Sequence, residues 1–292
     1  KEMQDVLMLE EDGLFKLNLD YFIHQKNGVT TRILEDNDPT PSIVYSEKFK
    51  EIFGVARKHS EPITEHHRNL AASIQKHCEE AIFHVLRKLH SLTGLDSVCI
   101  AGGVAQNSVA NGKITLNTPF KYVYIPPAGH DAGTSMGSAL YLYNHILNNR
   151  RMPPMFNPYT GSKSDNSEIE SLLQQKNITY IRLEDEALFN KVTDKLIDGG
   201  VVGWFQGRAE FGPRALGHRS ILADPRRNDV KEILNLKIKR RESFRPFAPS
   251  ILLEYVSEYF ELSDNVPFME KVFVIRSEKR GIIPAVTHVD GT

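Results

Sequence analysis

Twice between Ser97 and Leu147 an apolar run closes on glycine and passes into a helix-forming stretch. In the first, residues 97–101 (SVCIA) lead through Gly102 and Gly103 into a helix expected over 104–111. In the second, a strand expected at 122–125 runs into Pro126-Pro127-Ala128-Gly129-His130-Asp131-Ala132-Gly133-Thr134, and 135–147 reads as a helix. Strands that end in glycine turns opening helices commit a chain to alternating elements, here an α/β fold. They also prepare an anion site, because the first N–H groups of a helix lack partners and glycine lets phosphate approach them. Asp131 places a carboxylate at the second turn. There it can hold a hard cation beside phosphate oxygens, or simply cap the following helix.

The 292 residues are enough for two domains of ordinary size. Forty per cent hydrophobic and 25% charged residues exclude a disordered chain. No apolar run approaches the roughly 18 to 20 residues of a membrane span, and the opening KEMQD lacks a signal-peptide pattern, so the cytoplasm is the expected compartment. Cys78 and Cys99 make no disulfide framework and are expected to be reduced core residues.

Before the first glycine turn, 6–9 and 14–19 flank an acidic turn as in a hairpin. Residues 26–65 are mixed, with one short helix near 46–53. Between His66 and Ser91, apolar residues recur at three and four positions from Leu70 to Leu89, which predicts one buried face of a long helix. Residues 150–166 hold Pro153, Pro154 and Pro158 without an apolar period and read as a linker, placing a domain boundary between 157 and 158. Beyond it a helix near 168–176, a strand at 178–183, a helix at 186–198 and a strand at 201–205 continue the alternation.

The formal net charge of -1 hides an asymmetry, since Gln206 to Arg245 carries eleven Lys or Arg against five Asp or Glu. Such an excess is either an anion site or a solvated surface. The charges are interleaved with Gly, Pro and Phe in GWFQGRAEFGPRALGHRSILADPR (203–226) and KRRESFRPFAPSIL (239–252), on either side of a helix expected at 229–238. Arginine offers a planar fork to phosphate or carboxylate, and Phe244 and Phe247 can exclude water and strengthen each charge contact.

These residues carry a resemblance. AGGVAQNSVANGKI (101–114) and TPFKYVYIPPAGHDAGTSMGSALY (118–141) resemble the C-terminal half of the actin-like (ASKHA) domain of the nodulation and antibiotic O-carbamoyltransferases. That domain is similar to the one in tRNA threonylcarbamoyl transferases. EFGPRALGHRSILADPR (210–226) and KRRESFRPFAPS (239–250) resemble the two signature segments of the family's YrdC-like C-terminal α/β domain. The resemblance runs from about Ala71 to Thr292 and implies an actin-like portion over 1–157 and a YrdC-like domain over 158–292, with both ends of the chain expected to be cut.

The resemblance implies nucleotide contacts at Gly102, Gly103, Asn107 and Gly133, and a divalent metal, usually iron, at Asp131, with magnesium accompanying ATP. The family's other metal ligands are two His one helical turn apart. The adjacent His66 and His67 point about 100° apart on a helix, so those ligands are expected outside this chain. Arg214, Arg219, Ser220 and Arg245 would surround carbamoyl phosphate and the adenylate, with Lys239, Arg241 and His218 as catalytic groups.

The implied activity joins carbamoyl phosphate and ATP into carbamoyl adenylate with release of pyrophosphate, then passes the carbamoyl group to an acceptor hydroxyl on a small molecule. Prepositioned Arg and Lys would stabilise phosphoryl charge. The acceptor, whether a nodulation-signal sugar, an aminoglycoside or a cephem, and the oligomeric state are not fixed by these residues. An actin-like small-molecule kinase or a tRNA-threonylcarbamoylation relative would use Gly102 to Asn107 and Asp131 but not the arginine segments. A nucleic-acid module could use a basic stretch with aromatics, against which the near-zero net charge counts.

Overall fold

The computed structural model describes residues 2–33, 39–58, 60–262 and 264–292. The chain forms two compact units, Lys1–Val98 with Lys113–Val123, and Cys99–Gly112 with Tyr124–Thr292. Helices alternate with small two-stranded sheets, a mixed α/β arrangement. Among the described residues no helix is long and apolar enough to cross a membrane.

The first unit opens with the expected hairpin. Leu7–Leu9 and Phe15–Leu17 pair antiparallel, Leu7 opposite Leu17, and Asp12 closes the turn by accepting the Leu14 N–H at 2.9 Å. Ser46 caps the helix Glu47–Phe53 by accepting the Phe49 N–H. Residues 34–38 and 59, within the stretch expected to be mostly loop, lie outside the described residues. The long helix spans Glu65–Thr93 and ends on Gly94 in the left-handed conformation that glycine adopts without penalty.

Leu70 of this helix packs against a core of Val6, Tyr21 and Phe53. Its buried face also contains His77 and Glu79, which an apolar period does not reveal. Both are satisfied: His77 Nε2 lies 2.6 Å from the Leu7 carbonyl, and Glu79 accepts from Lys113 Nζ at 2.8 and 2.9 Å. Buried polar groups persist only with such partners.

The second unit corrects several expectations. The stretch 104–111 is not one helix: a 3-10 turn, Gly103–Gln106, precedes the short helix Ser108–Asn111. Asn107 separates them because its side chain accepts the Ala110 N–H at 3.1 Å and starts a new helix. Residues 178–183 form no strand, since among the described residues no strand pairs with them, and Ile178 and Ile181 stand 52% and 70% exposed. Cys99 is exposed and Cys78 only half-buried, so neither is a core residue.

The strand Val202–Phe205 is present, and its partner is unexpected. Arg219–Leu222 pairs antiparallel with it, Phe205 opposite Arg219 and Trp204 opposite Ser220, so the first arginine segment is the connection of a hairpin. The expected linker is not free either. Residues 158–163 lie along that connection as a strap: the Phe211 N–H donates to the Pro158 carbonyl at 2.7 Å, Ala209 N–H to Ser162 at 2.8 Å, and Gly161 N–H to Ala209 at 2.9 Å. A proline-rich stretch lacks some donors but keeps its carbonyls, and here these satisfy N–H groups of the hairpin loop.

Below the hairpin, Val230, Leu234 and Ala285 pack with Val201, Ile221, Ala223 and Phe247. Phe247 also touches the neighbouring cluster of Ile275, Ile283 and Val286. The strand Arg219–Leu222 and the second arginine segment therefore share one small core.

Candidate functional site

The first arginine segment is organised by a residue that charge counting hides. Glu210 Oε1 accepts three main-chain N–H groups, from Leu216 at 2.7 Å, His218 at 2.9 Å and Arg219 at 3.2 Å. Burial opposes ionisation of Glu210, yet these hydrogen bonds outweigh it and hold the carboxyl below the ordinary glutamate range. The carboxylate thus occupies an anion nest made by its own loop.

A depressed carboxyl contributes stability that is complete above its unfolded pKa and lost as pH falls through the folded value. Amide protection at Leu216, His218 and Arg219 is therefore expected to persist at neutral pH and to be lost only once the pH falls below the ordinary glutamate range. Glu210→Gln, which keeps an acceptor oxygen but removes its charge, should lower that protection already at neutral pH, as hydrogen exchange would show.

Ser220 Oγ accepts the Gly217 N–H at 2.8 Å and closes the same turn. Arg219 lies with its guanidinium carbon 3.5 Å from the Phe205 ring centroid. Its fork donates to the carbonyls of Gln206, His218, Gly207 and Ser162 at 2.6, 2.9, 3.1 and 3.4 Å. In this geometry Arg219 staples strap to hairpin and does not present an open fork. His218 Nδ1 is 2.7 Å from the Arg208 carbonyl, and its ring stacks on Tyr159. Burial pushes the Tyr159 phenol above its ordinary value, with Glu210 adding to the shift. Arg214 is half-buried and, among the described residues, has no acidic partner.

The second segment is built on Asn235, which is 0% exposed. Its amide donates to the carbonyls of Ser243 at 3.1 Å and Arg245 at 2.8 Å, while its oxygen accepts Arg241 Nε at 2.7 Å. The helix expected over 229–238 is Val230–Ile233 followed by a π-helical turn, Leu234–Lys239. Arg240 then adopts φ 49° and ψ 52°, a left-handed conformation that costs a non-glycine residue energy and recurs at functional sites. This reversal brings the Arg241 N–H to the Asn235 carbonyl at 2.9 Å and its guanidinium over Phe247, 4.9 Å from the ring centroid.

Arg245 pairs with Glu242 at 3.3 Å, Arg226 with Asp224 at 2.6 Å and Arg227 with Asp229 at 2.5 Å. Three of the eleven cations of this stretch are thus paired in place. Lys239, exposed at the end of the π turn, has no partner among the described residues. The cations left without an acid therefore include one on each segment, Arg214 and Lys239.

The glycine turns belong to the same compact unit as the arginine segments. The Gly102 N–H donates to the Gly129 carbonyl at 2.6 Å, which binds the two turns together. A Cβ on Gly102 or Gly103 would meet nothing within 4 Å, so this backbone faces open space, whereas one on Gly133 would stand 2.0 Å from the Ala128 carbonyl oxygen. Gly212, at φ +130°, abuts the second turn so tightly that a Cβ would stand 2.4 Å from the Pro127 carbonyl oxygen.

Asp131 is exposed and opens the short turn before the helix Thr134–Tyr141, its carbonyl accepting the Thr134 hydroxyl at 2.6 Å. No three His, Cys, Asp or Glu side chains among the described residues form a cluster able to hold a metal ion. His66 Nε2 is 2.9 Å from the Phe53 carbonyl, and His67 Nδ1 accepts the Thr64 N–H at 3.0 Å, so both serve local structure.

Sequence reasoning singled out cations and missed the three residues that arrange them, Glu210, Asn235 and Tyr159. Asn235 had a signal, a polar side chain one position after Leu234 on a short helix, but charge counting passes over it.

Residues 4–140 match the model of the carbamoyltransferase N-terminus and 193–292 that of the carbamoyltransferase C-terminus. The first match begins well before Ala71, where the resemblance was expected to start. The chain is 43% identical over 242 residues to nodulation protein NolNO of Sinorhizobium fredii, covering 81% of this chain and 35% of that protein. It is 42% identical over 243 residues to nodulation protein NolO of Bradyrhizobium diazoefficiens, covering 81% and 44%. An uncharacterized protein of Synechocystis sp. is 40% identical over 317 residues, covering 99% and 49%. The chain thus spans about half, or less, of the length of these curated relatives. Two family models placed in order along one chain, the second spanning both arginine segments, establish that it belongs to the carbamoyltransferase family.

Proposed function

We propose that this chain is part of an ATP-dependent O-carbamoyltransferase that forms carbamoyl adenylate and delivers its carbamoyl group to a small-molecule hydroxyl. Conversion of carbamoyl phosphate, ATP and water into carbamoyl adenylate releases phosphate and pyrophosphate. Charge on the transferring phosphoryl oxygens is what the site has to stabilise. The observation that carries the reading is the pair Arg214 and Lys239, cations without acidic partners among the described residues, on two segments whose backbone is organised by Glu210 and Asn235. Arg219, Ser220, Arg241 and Arg245 support the pocket in this reading, and His218 faces substrate.

The division of labour proposed is an actin-like portion over 1–157 and a YrdC-like portion over 158–292. The open backbone at Gly102 and Gly103 supports a nucleotide contact, to which Asn107 and Gly133 contribute in this reading. A divalent ion at Asp131, iron by family resemblance, and magnesium with ATP belong to the proposal for the whole enzyme. A cytoplasmic setting and a hydroxylated acceptor from nodulation or antibiotic chemistry complete it, with the relatives' nodulation names supporting the former.

The test is mass spectrometry of products from the full-length protein given ATP, carbamoyl phosphate and a panel of sugars, aminoglycosides and cephems. Acceptor heavier by one carbamoyl group, with AMP and pyrophosphate, is the expected result. Phosphorylated acceptor formed without carbamoyl phosphate would replace the proposal with a kinase.

A further inference from the structure

His218 is held by three neighbours. The Tyr159 ring lies 3.6 Å from it between centroids with planes 12° apart, and the Tyr159 hydroxyl is pinned by donating to the Leu216 carbonyl at 2.7 Å. Gly207, at φ +51°, borders the imidazole so closely that a Cβ would stand 3.1 Å from Cε1 and 3.2 Å from Nδ1. The third neighbour is the Arg208 carbonyl, 2.7 Å from Nδ1. A carbonyl only accepts, so Nδ1 carries the proton. In the neutral ring Nε2 is then a lone pair, and among the described residues it has no partner.

That lone pair sorts the polar groups of the proposed substrate. The phosphoryl and carbonyl oxygens of carbamoyl phosphate are acceptors and are repelled by it. The amino group is the donor that suits it. We infer that His218 Nε2 accepts a hydrogen bond from the carbamoyl amino group and so separates carbamoyl phosphate from acyl phosphates that lack an N–H. Tyr159 and Gly207 are positioning residues for this contact. An unrestrained imidazole could turn either nitrogen to the ligand, and the stack together with the Arg208 bond removes that freedom. The inference rests on the carbamoyl phosphate reading given above. A site built to accept a hydrogen bond from the amino group disfavours an isostere without the donor, because binding it leaves the acceptor unpaired.

Acetyl phosphate is the isosteric probe, with methyl in place of amino. Calorimetric binding of both phosphates to the full-length protein is measured beside pyrophosphate release. The unmodified protein is expected to bind carbamoyl phosphate about tenfold or more tightly than acetyl phosphate. His218→Ala should erase the preference by weakening carbamoyl phosphate alone, and Tyr159→Leu should erase part of it. Tyr159→Phe, which keeps the ring, should leave it intact. Equal weakening of both ligands in His218→Ala would mean that the imidazole acts on phosphate, and an unchanged preference would mean that it contacts neither; each overturns the inference. Should Tyr159→Leu fail to fold, ¹⁵N NMR of the unmodified protein decides, since the inference requires the Nδ1-protonated tautomer and the other tautomer sinks it. Binding preference without pyrophosphate release would leave this contact standing and remove the adenylate reading. No binding of carbamoyl phosphate would remove both.

Discussion

Full-length enzyme carrying Lys239→Ala is expected to release pyrophosphate about 100- to 1,000-fold more slowly than the unmodified enzyme, the loss usual when one prepositioned charge donor is removed. Its melting temperature should not move. Lys239 is exposed at the end of the π turn and engages no acid, so its removal leaves no buried group unsatisfied. Arg214→Ala should behave in the same way. Arg219→Ala is the contrast: it strips a donor from four carbonyls at once and should lower stability and activity together. Steady-state pyrophosphate release and thermal melts on the same preparations separate the two patterns. Unchanged release in Lys239→Ala would end the proposed role of the second segment.

Asn235→Ala is expected to cost about 3 kcal/mol of stability, near the upper end for loss of a buried hydrogen-bonded group. The fully buried side chain serves three partners, and truncation takes the hydrogen bond from the Ser243 and Arg245 carbonyls and from Arg241 Nε at once. At roughly 2 to 4 °C per kcal/mol for a chain of this size, the melting temperature should fall by about 6 to 12 °C. Activity should fall as well, since Arg240 and Arg241 take their positions from the same hub. A shift within about a degree would show that the segment holds its shape by other means.

These expectations show what the sequence could and could not say. The hairpin at the start, the helix Glu65–Thr93 and the glycine turns were legible because apolar period and turn residues act locally. The strand Arg219–Leu222 was not. Its charged first residue hides a pairing fixed by the distant Val202–Phe205, and its side chains are only half-buried. The strap was illegible for a related reason: prolines predict the absence of regular structure, not the use to which their carbonyls are put. Site cations could be counted from composition, but which of them stay unpaired depends on contacts such as Arg226 with Asp224, and on Glu210 turning toward its own loop.

The fit of Gly212 against Pro127, with Tyr159 against His218, has a consequence for how such enzymes can diversify. Stretches remote along the polypeptide meet at backbone distance, so none can vary alone. A graft of 206–226 from a family member would arrive with a glycine shaped for a foreign proline and an imidazole missing its phenol. Grafts that carry 126–133 and 157–163 along should keep the interlock, which makes the heritable module a patch in space, not an interval of sequence.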